Sequence, residues 1–476
     1  MKNAVVLASI VAALAIAACG SDAPPQAPDP TSQAESPGDA WTMLGHDVRS
    51  SFHNPNETSL SVITVPQLQE AWSLADIGTV TGAPAIVDGR VYVLGSNGTF
   101  ALDAATGEQL WSNPDVTGTS SVTYSDGVLF VDAGPSVVHA LDAETGDELW
   151  QAEVDPHPQA SGFSSPVVAG GLVIVGSASG EEAAVAENAT FRGAVVAFDR
   201  ETGDEVWRHY TVEPPHNGVA VWSSVSVDLE AGVVFASTGN NYTGEAGPTS
   251  DSIFALDLAT GELLWLTQLT EGDVFTILNP QSEDTDFGTN PILFEAGGRK
   301  LLGNGQKSGA FYVLDRETGE VVWSRQVSGG SPLIGGVFNN GAYDGERIIV
   351  AGNNGTSEGP GSEPANGESE PLGAAARTPT SVLMAMNPAD GSVLWERQLP
   401  AWVWAPITIA NGVGYVSTES TLQAFDVTTG EKLFEFDTEG TIASGAAVAG
   451  GRVVFGSGLA YFGTTPGQAL HALALP

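Results

Sequence analysis

Short apolar runs, each closed by glycine, asparagine or aspartate, follow one another along almost the whole chain. Typical examples are GAPAIVDG (Gly82–Gly89) and RVYVLGSNG (Arg90–Gly98). Apolar runs of this length with turn residues on both sides predict β-strands rather than helices. The pattern therefore predicts an all-β chain of many short strands joined by tight turns.

One phrase recurs along this pattern and defines a structural repeat. In each copy three residues end a strand, Asp-x-x-Thr-Gly forms a turn with glycine supplying the positive φ, and the next strand runs to a tryptophan. That tryptophan can dock against the neighbouring unit. The copies are ALDAATGEQLW (Ala101–Trp111), ALDAETGDELW (Ala140–Trp150), AFDRETGDEVW (Ala197–Trp207), ALDLATGELLW (Ala255–Trp265), VLDRETGEVVW (Val313–Trp323), AMNPADGSVLW (Ala385–Trp395) and AFDVTTGEKLF (Ala424–Phe434).

The repeats predict an eight-bladed β-propeller. Two further strand signals precede each copy, so each unit is a four-stranded antiparallel sheet, a–b–c–d, which buries its faces only by radial stacking. Trp72 ends a d strand that has no c strand before it, and the chain after Gly451 supplies strands without a d strand. Joined, they make an eighth blade that closes the ring; the alternative is seven blades with a stray end.

The N-terminus predicts a targeting segment. Lys2 precedes an apolar run, Ala4–Ala18, that is too short to span a membrane and ends in a lipobox-like Ile-Ala-Ala-Cys. The predicted organisation is a lipoprotein signal peptide (1–18), a flexible tether after lipidated Cys19 (19–39) and a single propeller (40–476). The alternative is an ordinary signal peptide with a chance cysteine.

The predicted location is the cell envelope, on the periplasmic or the extracellular face. The outer membrane is favoured because Gly20 is not the acidic residue that retains lipoproteins at the inner membrane. With 16 basic and 57 acidic side chains, the net charge is -41. This charge excludes nucleic acids and anionic membrane surfaces as partners, which leaves the lipid anchor as the only membrane contact.

The long segments of the repeats all fall on one face of the disc. The Asp-x-x-Thr-Gly turns join c to d and mark a plain face, whereas the b–c loops and the d-to-a connections lie on the opposite, loop face. The long segments there are 181–190, 240–249, 271–287 and 353–380. Loops carry function, so a site is predicted on the loop face.

Four polar residues on the loop face predict chemistry. Glu182, Asn240 and Asp273 offer hard oxygen ligands suited to Ca²⁺. Lys307 is one of three lysines that remain once the signal peptide is removed. Each residue has a plainer interpretation as a solvated loop or turn residue, and Asp284 and Asp286 are rivals of Asp273.

Several motifs carry a family resemblance. WTMLGHDVRSSFHN (41–54), STGNNY (237–242), GQKSG (305–309) and VVFGSG (453–458) are similar to the pyrroloquinoline-quinone (PQQ) dependent quinoprotein dehydrogenases, closest to the polyvinyl-alcohol-dehydrogenase-like group. The resemblance covers nearly all of Trp41–Pro476. It implies a propeller that binds PQQ and Ca²⁺ and oxidises an alcohol by hydride transfer to PQQ. Electrons would pass to an external acceptor such as a cytochrome c or a quinone.

The resemblance also implies roles for individual residues. Glu182 and Asn240 match the calcium ligands, and Asp273 matches the general base, which also touches the metal. Lys307 matches the basic residue at the quinone oxygens, and Trp222 matches the cofactor floor less securely.

Two departures from the family pattern keep other functions open. Phe275-Thr276 stand where Trp-Asp is usual, and a disulfide over PQQ cannot form with one cysteine. The alternatives are a non-catalytic scaffold lipoprotein for envelope protein assembly or binding, and a ligand-binding propeller with an aromatic funnel. Trp402 and Trp404, at the start of the seventh blade, are predicted to line a substrate entrance in either case. The identity of the alcohol stays open.

Overall fold

The computed structural model describes residues 39–184, 187–278, 283–330, 334–354, 380–459 and 464–476, which form eight four-stranded antiparallel blades in a ring. This architecture confirms the predicted eight-bladed propeller. The inner a strands of successive blades contact one another around a central channel, and the b, c and d strands follow outward. The rest of the N-terminal segment, with the predicted signal peptide and Cys19, lies outside the described residues, as does most of the 353–380 loop.

The strands follow the predicted order along the chain. Before the first complete blade come β1 (His53–Asn54), a 3-10 helix (Val65–Gln67) and β2 (Gln69–Leu74). Blades 1 and 2 are β3 (Ala85–Val87), β4 (Arg90–Gly95), β5 (Gly98–Asp103), β6 (Gln109–Asn113), then β7 (Thr123–Ser125), β8 (Val128–Ala133), β9 (Val137–Asp142) and β10 (Glu148–Glu153).

Blade 3 carries an added strand pair and a short helix on the loop face. Its elements are β11 (Ala160–Ser161), β12 (Val167–Ala169), β13 (Leu172–Gly176), β14 (Ala178–Ser179), α1 (Glu181–Ala184), β15 (Ala194–Asp199) and β16 (Glu205–Tyr210). Blades 4 and 5 are β17 (Ser226–Asp228), β18 (Val233–Ser237), β19 (Ser252–Asp257), β20 (Leu263–Gln268), then β21 (Ile292–Ala296), β22 (Arg299–Gly305), β23 (Ala310–Asp315) and β24 (Val321–Gln326).

The last three blades complete the ring. They are β25 (Ala342–Tyr343), β26 (Ile348–Asn354), β27 (Thr380–Met386), β28 (Val393–Leu399), β29 (Thr408–Ala410), β30 (Val413–Thr418), β31 (Thr421–Asp426), β32 (Lys432–Asp437), β33 (Ala447–Ala449), β34 (Arg452–Ser457) and β35 (Ala469–Ala474). β2 pairs with β35, with Trp72 opposite Ala472, so both ends of the chain build blade 8.

The tryptophan of each repeat docks on the next blade. The indole N–H of Trp265 donates to the backbone oxygen of Arg316 at 3.0 Å, and its ring covers Gly319. A Cβ at Gly319 would lie 2.5 Å from that ring, and φ there is 73°, so glycine is required. Six further tryptophans repeat this indole bond: Trp72, Trp111, Trp150, Trp207, Trp323 and Trp395. At the junction of blades 7 and 8, Phe434 packs in an apolar cluster instead.

Residues Trp41–Asn54, here called the inner belt, run around the inside of the channel. Trp41 pairs with Ile86, and the oxygens of Thr42, Val48, Arg49, Ser51 and Phe52 accept the N–H groups of Tyr124, Val227, Leu293, Tyr343 and Ile409 at 2.7–2.9 Å. All six partners are the second residue of an inner strand. The belt therefore satisfies the channel-facing edges of blades 1, 2, 4, 5, 6 and 7.

Among the described residues, no helix is long and apolar enough to cross a membrane.

Candidate active site

The predicted site residues of blades 3, 4 and 5 lie in one region of the loop face. Glu182 is in α1, Asn240 follows β18, Asp273 follows β20, and Lys307 lies in the turn between β22 and β23. Trp222 precedes β17. The fold brings these residues together because b–c loops and d-to-a connections share a face.

Lys307 is the cation at the centre of this region. Its Nζ lies 2.7 Å from Asp286 Oδ2 and 3.0 Å from Asp284 Oδ1, and all three side chains are almost fully buried. Burial alone would lower the pKa of Lys307, but Asp284, Asp286 and Glu182 raise it well above its usual value. The lysine is therefore a fixed positive charge rather than a proton donor at neutral pH.

Trp222 presents its indole beside this ammonium. Lys307 Nζ is 5.3 Å from the centre of the Trp222 ring, which is the range of a cation–π contact. The ring lies over Gly288, where a Cβ would meet it at 2.0 Å, and near Gly239, where a Cβ would be 3.2 Å from the indole nitrogen. The two glycines therefore create the space that this flat surface occupies.

Asn240 is held by the same acidic segment. Its backbone N–H donates to Asp286 Oδ1 at 2.7 Å, and its side-chain Nδ2 donates to the backbone oxygen of Phe275. These two bonds tie the loop after β18 to the connection between blades 4 and 5.

Asp273 fixes the connection between blades 4 and 5. One of its oxygens accepts the Phe275 N–H at 2.8 Å, and the other accepts the Thr285 N–H at 2.7 Å and lies 2.8 Å from the Thr285 hydroxyl. That hydroxyl is also 3.2 Å from Asp251 Oδ1. Asp273 thus ties together both ends of a segment whose middle lies outside the described residues.

Three carboxylates converge at this point. Oxygens of Asp251, Asp273 and Asp286 lie within 4.8 Å of one another, and all three residues are buried. Burial, followed by Asp273 and Asp286, raises the pKa of Asp251 well above its usual value. Burial, followed by Asp286, raises the pKa of Glu182 to about 8, and the same two causes raise the pKa of Asp273.

This charge arrangement fits a hard cation. Among the described residues, Glu182, Asp284 and Asp286 act on Lys307, and Asp251 and Asp273 converge with Asp286, so five carboxylates accompany one ammonium group in this region. Asp251 Oδ2 is buried and makes no hydrogen bond of normal geometry with the described residues. Carboxylate and amide oxygens at this density are typical ligands of Ca²⁺, and a bound cation would oppose every upward pKa shift here.

Glu181 positions the loop that carries Glu182. Its carboxylate accepts the backbone N–H groups of Thr190 and Phe191 at 2.9 and 2.7 Å. His157 Nε2 lies 3.6 Å away. Two adjacent acidic residues on one short helix therefore do different things: Glu181 closes its own loop, and Glu182 faces the cluster.

A cavity of about 350 Å³ lies on the channel axis beside Trp222, and Leu44 of the inner belt is part of its lining. Eight of its lining residues occupy one equivalent position, four residues before each inner strand. In blade order these are Thr81, Thr119, Phe163, Trp222, Gly288, Phe338, Trp404 and Ala443. We call them the rim residues. Of the two tryptophans predicted to line a substrate entrance, Trp404 lines this cavity, whereas the indole N–H of Trp402 donates to the Asn354 oxygen and Trp402 is not part of the lining.

The residues that lie two positions after the rim residues in sequence form a chain of hydrogen bonds from blade to blade. This chain fixes the spacing of the rim. The backbone N–H of this position donates to the side chain at the same position of the next blade. The bonds, 2.6–2.9 Å long, run from Ala83 to Ser121, Ser165, Ser224, Asn290 and Asn340 in turn.

Two residues of the candidate site escape the sequence argument. Asp251 lies just before β19, and in the sequence it is one more aspartate near a strand. Glu181 is indistinguishable from Glu182 in an acidic run. Only the structure distinguishes these two residues from their neighbours. Asp251 has a buried carboxylate oxygen, and Glu181 accepts two backbone N–H groups.

Two family models match parts of the chain. Residues 154–328 match the β-propeller domain of glucose/ethanol/alcohol dehydrogenases, and residues 373–474 match the outer membrane protein assembly factor BamB. The first match contains every predicted site residue from Glu182 to Lys307.

Known proteins resemble the chain over most of its length. It is 28% identical to a polyvinylalcohol dehydrogenase of Pseudomonas sp, covering 89% of this chain and 73% of that protein. It is also 28% identical to a polyvinylalcohol dehydrogenase of Sphingopyxis sp., covering 84% and 68%. The crystal structure of a quinohemoprotein alcohol dehydrogenase from Comamonas testosteroni superposes with a TM-score of 0.75 at 22% identity, covering 93% of this chain and 81% of that one. At that identity the superposition shows the fold alone.

Proposed function

We propose that the chain, whose residues 154–328 match the β-propeller domain of glucose/ethanol/alcohol dehydrogenases, is a quinoprotein dehydrogenase that oxidises an alcohol. The observation that carries the proposal is the contact of Lys307 with Asp284 and Asp286, directly beside the Trp222 ring and the channel cavity. A fixed cation, a flat aromatic surface and a dense set of oxygen ligands are what a planar, anionic, metal-bound cofactor requires.

We propose that the metal is Ca²⁺ and that Glu182, Asn240 and Asp273 hold it. Asp251 and Asp286 lie in the same cluster and add two carboxylates to this set. When bound, the metal supplies a Lewis acid next to the lysine. The buried carboxylates are then balanced without each having to bind a proton.

We propose that Trp222 supports PQQ and that Lys307 lies at its reactive edge. PQQ, when bound, supplies the two-electron acceptor. Lys307 keeps a positive charge in a water-poor site, where it stabilises negative charge that develops during oxidation. A carboxylate of the cluster takes the hydroxyl proton of the alcohol. Asp273 is the predicted base, and Asp284, in contact with Lys307, is its rival.

The substrate proposal rests on the relatives named as polyvinylalcohol dehydrogenases. A secondary or polymeric alcohol is therefore proposed. We propose that electrons leave to a separate acceptor such as a cytochrome c or a quinone, because the single cysteine at position 19 rules out a Cys-x-x-Cys-His haem attachment motif in this chain.

We also propose that the chain is a lipoprotein of the cell envelope, anchored through Cys19 with the periplasmic side of the outer membrane favoured. The support is the apolar run before Cys19 and the polar segment after it. Mass spectrometry of the Cys19 peptide would detect the lipid, and Cys19→Ser would move the protein from the detergent phase to the aqueous phase. An unmodified Cys19 on the mature chain contradicts the anchor.

A scaffold for envelope protein assembly is the second candidate, supported by the BamB family match over residues 373–474. That match covers blades 6 to 8, away from the lysine and carboxylate cluster. A scaffold has no use for buried carboxylates around a lysine, so this function predicts that neither PQQ nor calcium binds.

PQQ binding is the experiment that separates the two candidates. Purified protein is titrated with PQQ by calorimetry, with and without Ca²⁺, and then tested on an alcohol panel with an artificial electron acceptor. We expect calcium-dependent binding that is lost in Glu182→Gln and Lys307→Ala. Lys432→Ala, a lysine of an exposed plain-face turn, is the matched control. No binding at high PQQ concentration, with folded protein, would overturn the dehydrogenase.

A further inference from the structure

The rim residues divide the channel into sectors of different chemistry. The reactive cluster lies at blades 4 and 5, and the rim is small or polar at blades 8, 1 and 2, with Ala443, Thr81 and Thr119. Aromatic side chains stand on both flanks of the cluster: Phe163 in blade 3, and Phe338 with Trp404 in blades 6 and 7.

The three flanking aromatics are not required for blade packing. The equivalent position is Thr, Gly or Ala in four other blades, and the ring still closes there. Phe163 is 59% exposed, and Phe338 and Trp404 are only partly buried and contact each other edge to face, with ring centres 5.9 Å apart. A large aromatic side chain left facing a cavity, where the repeat accepts threonine, indicates a binding surface.

Most of the polar groups considered near the rim are already engaged. Lys307 is paired with Asp284 and Asp286, and the side chains below the rim take part in the chain of inter-blade hydrogen bonds. Asn339 donates its amide to the Val403 oxygen, and its buried Oδ1, which makes no hydrogen bond of normal geometry with the described residues, offers a single acceptor. A sugar would bury several hydroxyl groups against aromatic rings here, and a buried hydroxyl without a partner is costly.

We propose, building on the dehydrogenase function above, that Phe163 on one flank and Phe338 with Trp404 on the other determine substrate specificity. They select a secondary alcohol with an aliphatic substituent on each side of the carbinol carbon. The carbinol faces the cluster at blades 4 and 5, and its two substituents lie against the two aromatic flanks. A sugar or a short primary alcohol uses neither flank.

The test compares Trp404→Thr and Phe338→Thr with Trp402→Thr. Threonine is the natural rim residue of blades 1 and 2, so it suits this position, and Trp402 is a nearby tryptophan outside the cavity. Thermal unfolding verifies that the variants are folded. The substrates are 4-heptanol, 1-heptanol, 2-propanol and glucose, with PQQ and Ca²⁺ added.

We expect wild type to prefer 4-heptanol, and Trp404→Thr to lower its kcat/KM about tenfold or more, mainly through KM, because apolar contact area is lost. Activity on 2-propanol changes little, and Trp402→Thr behaves like wild type. A wild-type preference for glucose or 1-heptanol, or an equal loss in Trp402→Thr, overturns the inference and leaves the dehydrogenase function intact.

A direct binding measurement covers the case in which no alcohol is oxidised. Saturation-transfer NMR detects 4-heptanol bound to the protein without cofactor. A signal that is present in wild type and Trp402→Thr and lost in Trp404→Thr supports the aromatic flanks even if the proposed function fails. A signal unchanged in Trp404→Thr, or absent in wild type, overturns them.

Discussion

Asp132 differs in chemistry from its equivalent in the preceding blade. In blades 1 and 2 the side chain opposite the second residue of the c strand points into the next blade, whereas blades 3, 5 and 8 carry glycine at this position. Leu94 meets Gly118 at this position, and Asp132 meets Gly162. Asp132 is fully buried, and neither oxygen makes a hydrogen bond of normal geometry with the described residues. Burial raises the pKa of Asp132 to about 8, although the Val137 amide lowers it.

The raised pKa of Asp132 predicts that this residue destabilises the folded state by an amount that depends on pH. The folded state holds the proton up to about pH 8, whereas an unfolded Asp loses it near pH 4, so the penalty is absent below pH 4, grows as pH rises and is complete above pH 8. Asp132→Leu reproduces the leucine–glycine pair of Leu94 and Gly118. We expect it to stabilise the protein by about 2–5 kcal/mol more at pH 8.5 than at pH 4.5, measured by denaturant unfolding. An equal effect at both pH values contradicts the buried charge.

The carboxylates near Lys307 can be separated by substitution. Asp273→Asn replaces an oxygen that accepts backbone N–H groups by an NH₂, so we expect it to destabilise the fold by about 1–3 kcal/mol. Asp284→Asn leaves Asp286 paired with Lys307, so we expect near-normal stability with kcat about 10²–10⁴ lower if Asp284 is the base.

Thermal unfolding and steady-state kinetics on both variants distinguish the two roles. Asp286→Asn serves as a third comparison, because Asp286 also holds the Asn240 amide. If Asp273→Asn abolishes turnover and leaves the unfolding temperature unchanged, the base is Asp273 and Asp284 is a structural partner of the lysine.

At the scale of the element, most blade junctions share one packing arrangement, in which a tryptophan of one blade docks on a turn of the next. Seven of the eight junctions combine an indole N–H bond with a glycine under the ring, and the length of that bond varies little, 2.9–3.1 Å. Because this arrangement depends on residues of a turn and its adjoining strand, it can be predicted from the sequence alone. For the same reason, the repeat also predicts the number of blades.

The indole hydrogen bond and the glycine under the ring contribute separately to stability, and substitutions can measure each contribution. Trp265→Phe keeps the ring and loses the bond to the Arg316 oxygen, so we expect a loss of about 1 kcal/mol. Gly319→Ala is expected to cost more, since a Cβ would overlap the Trp265 ring and φ there is positive. Denaturant unfolding measures both. Gly345→Ala, also at positive φ but with open space around it, isolates the backbone contribution. Equal losses in the two glycine variants would show that ring contact is irrelevant.

At the scale of the whole molecule, the inner belt links blades that are distant in sequence. The Asn54 side chain extends the belt to blade 8, donating to the Val448 oxygen at 2.8 Å and to Asp39 at 2.9 Å. No repeat predicts this segment, because its partners are backbone groups of six inner strands rather than matching side chains. Sequence reasoning could quote its letters only as a family motif.

Asn54→Ala tests the belt. Asn54 is fully buried, and the substitution leaves the Val448 oxygen without this donor, so we expect a loss of about 1–3 kcal/mol and faster hydrogen exchange in residues 41–54. Asn97→Ala removes a bond from an exposed loop to the Asp76 oxygen and is expected to be close to neutral. Unchanged exchange in Asn54→Ala would mean that the belt is held elsewhere.

The sequence indicates which residues form the candidate site, but it does not indicate the hydrogen bonds and ion pairs between them. Glu182, Asn240, Asp273 and Lys307 were identified from the sequence because blade order and strand order fix which loops meet, whereas Trp222 was identified only through the family resemblance. Their partners depend on side-chain directions within a few ångströms, which a repeat pattern does not encode. The same limit applies to the rim, where a shared register explains the ring but not why some blades carry aromatics.

The inner belt also forms part of the wall of the channel cavity. Leu44 of the belt lines the cavity, and the backbone of the belt is hydrogen-bonded to the inner strands of six blades. A molecule that enters the cavity therefore meets a segment that is anchored to most of the ring at once, so a substitution in the belt can alter the cavity without touching any of the predicted site residues.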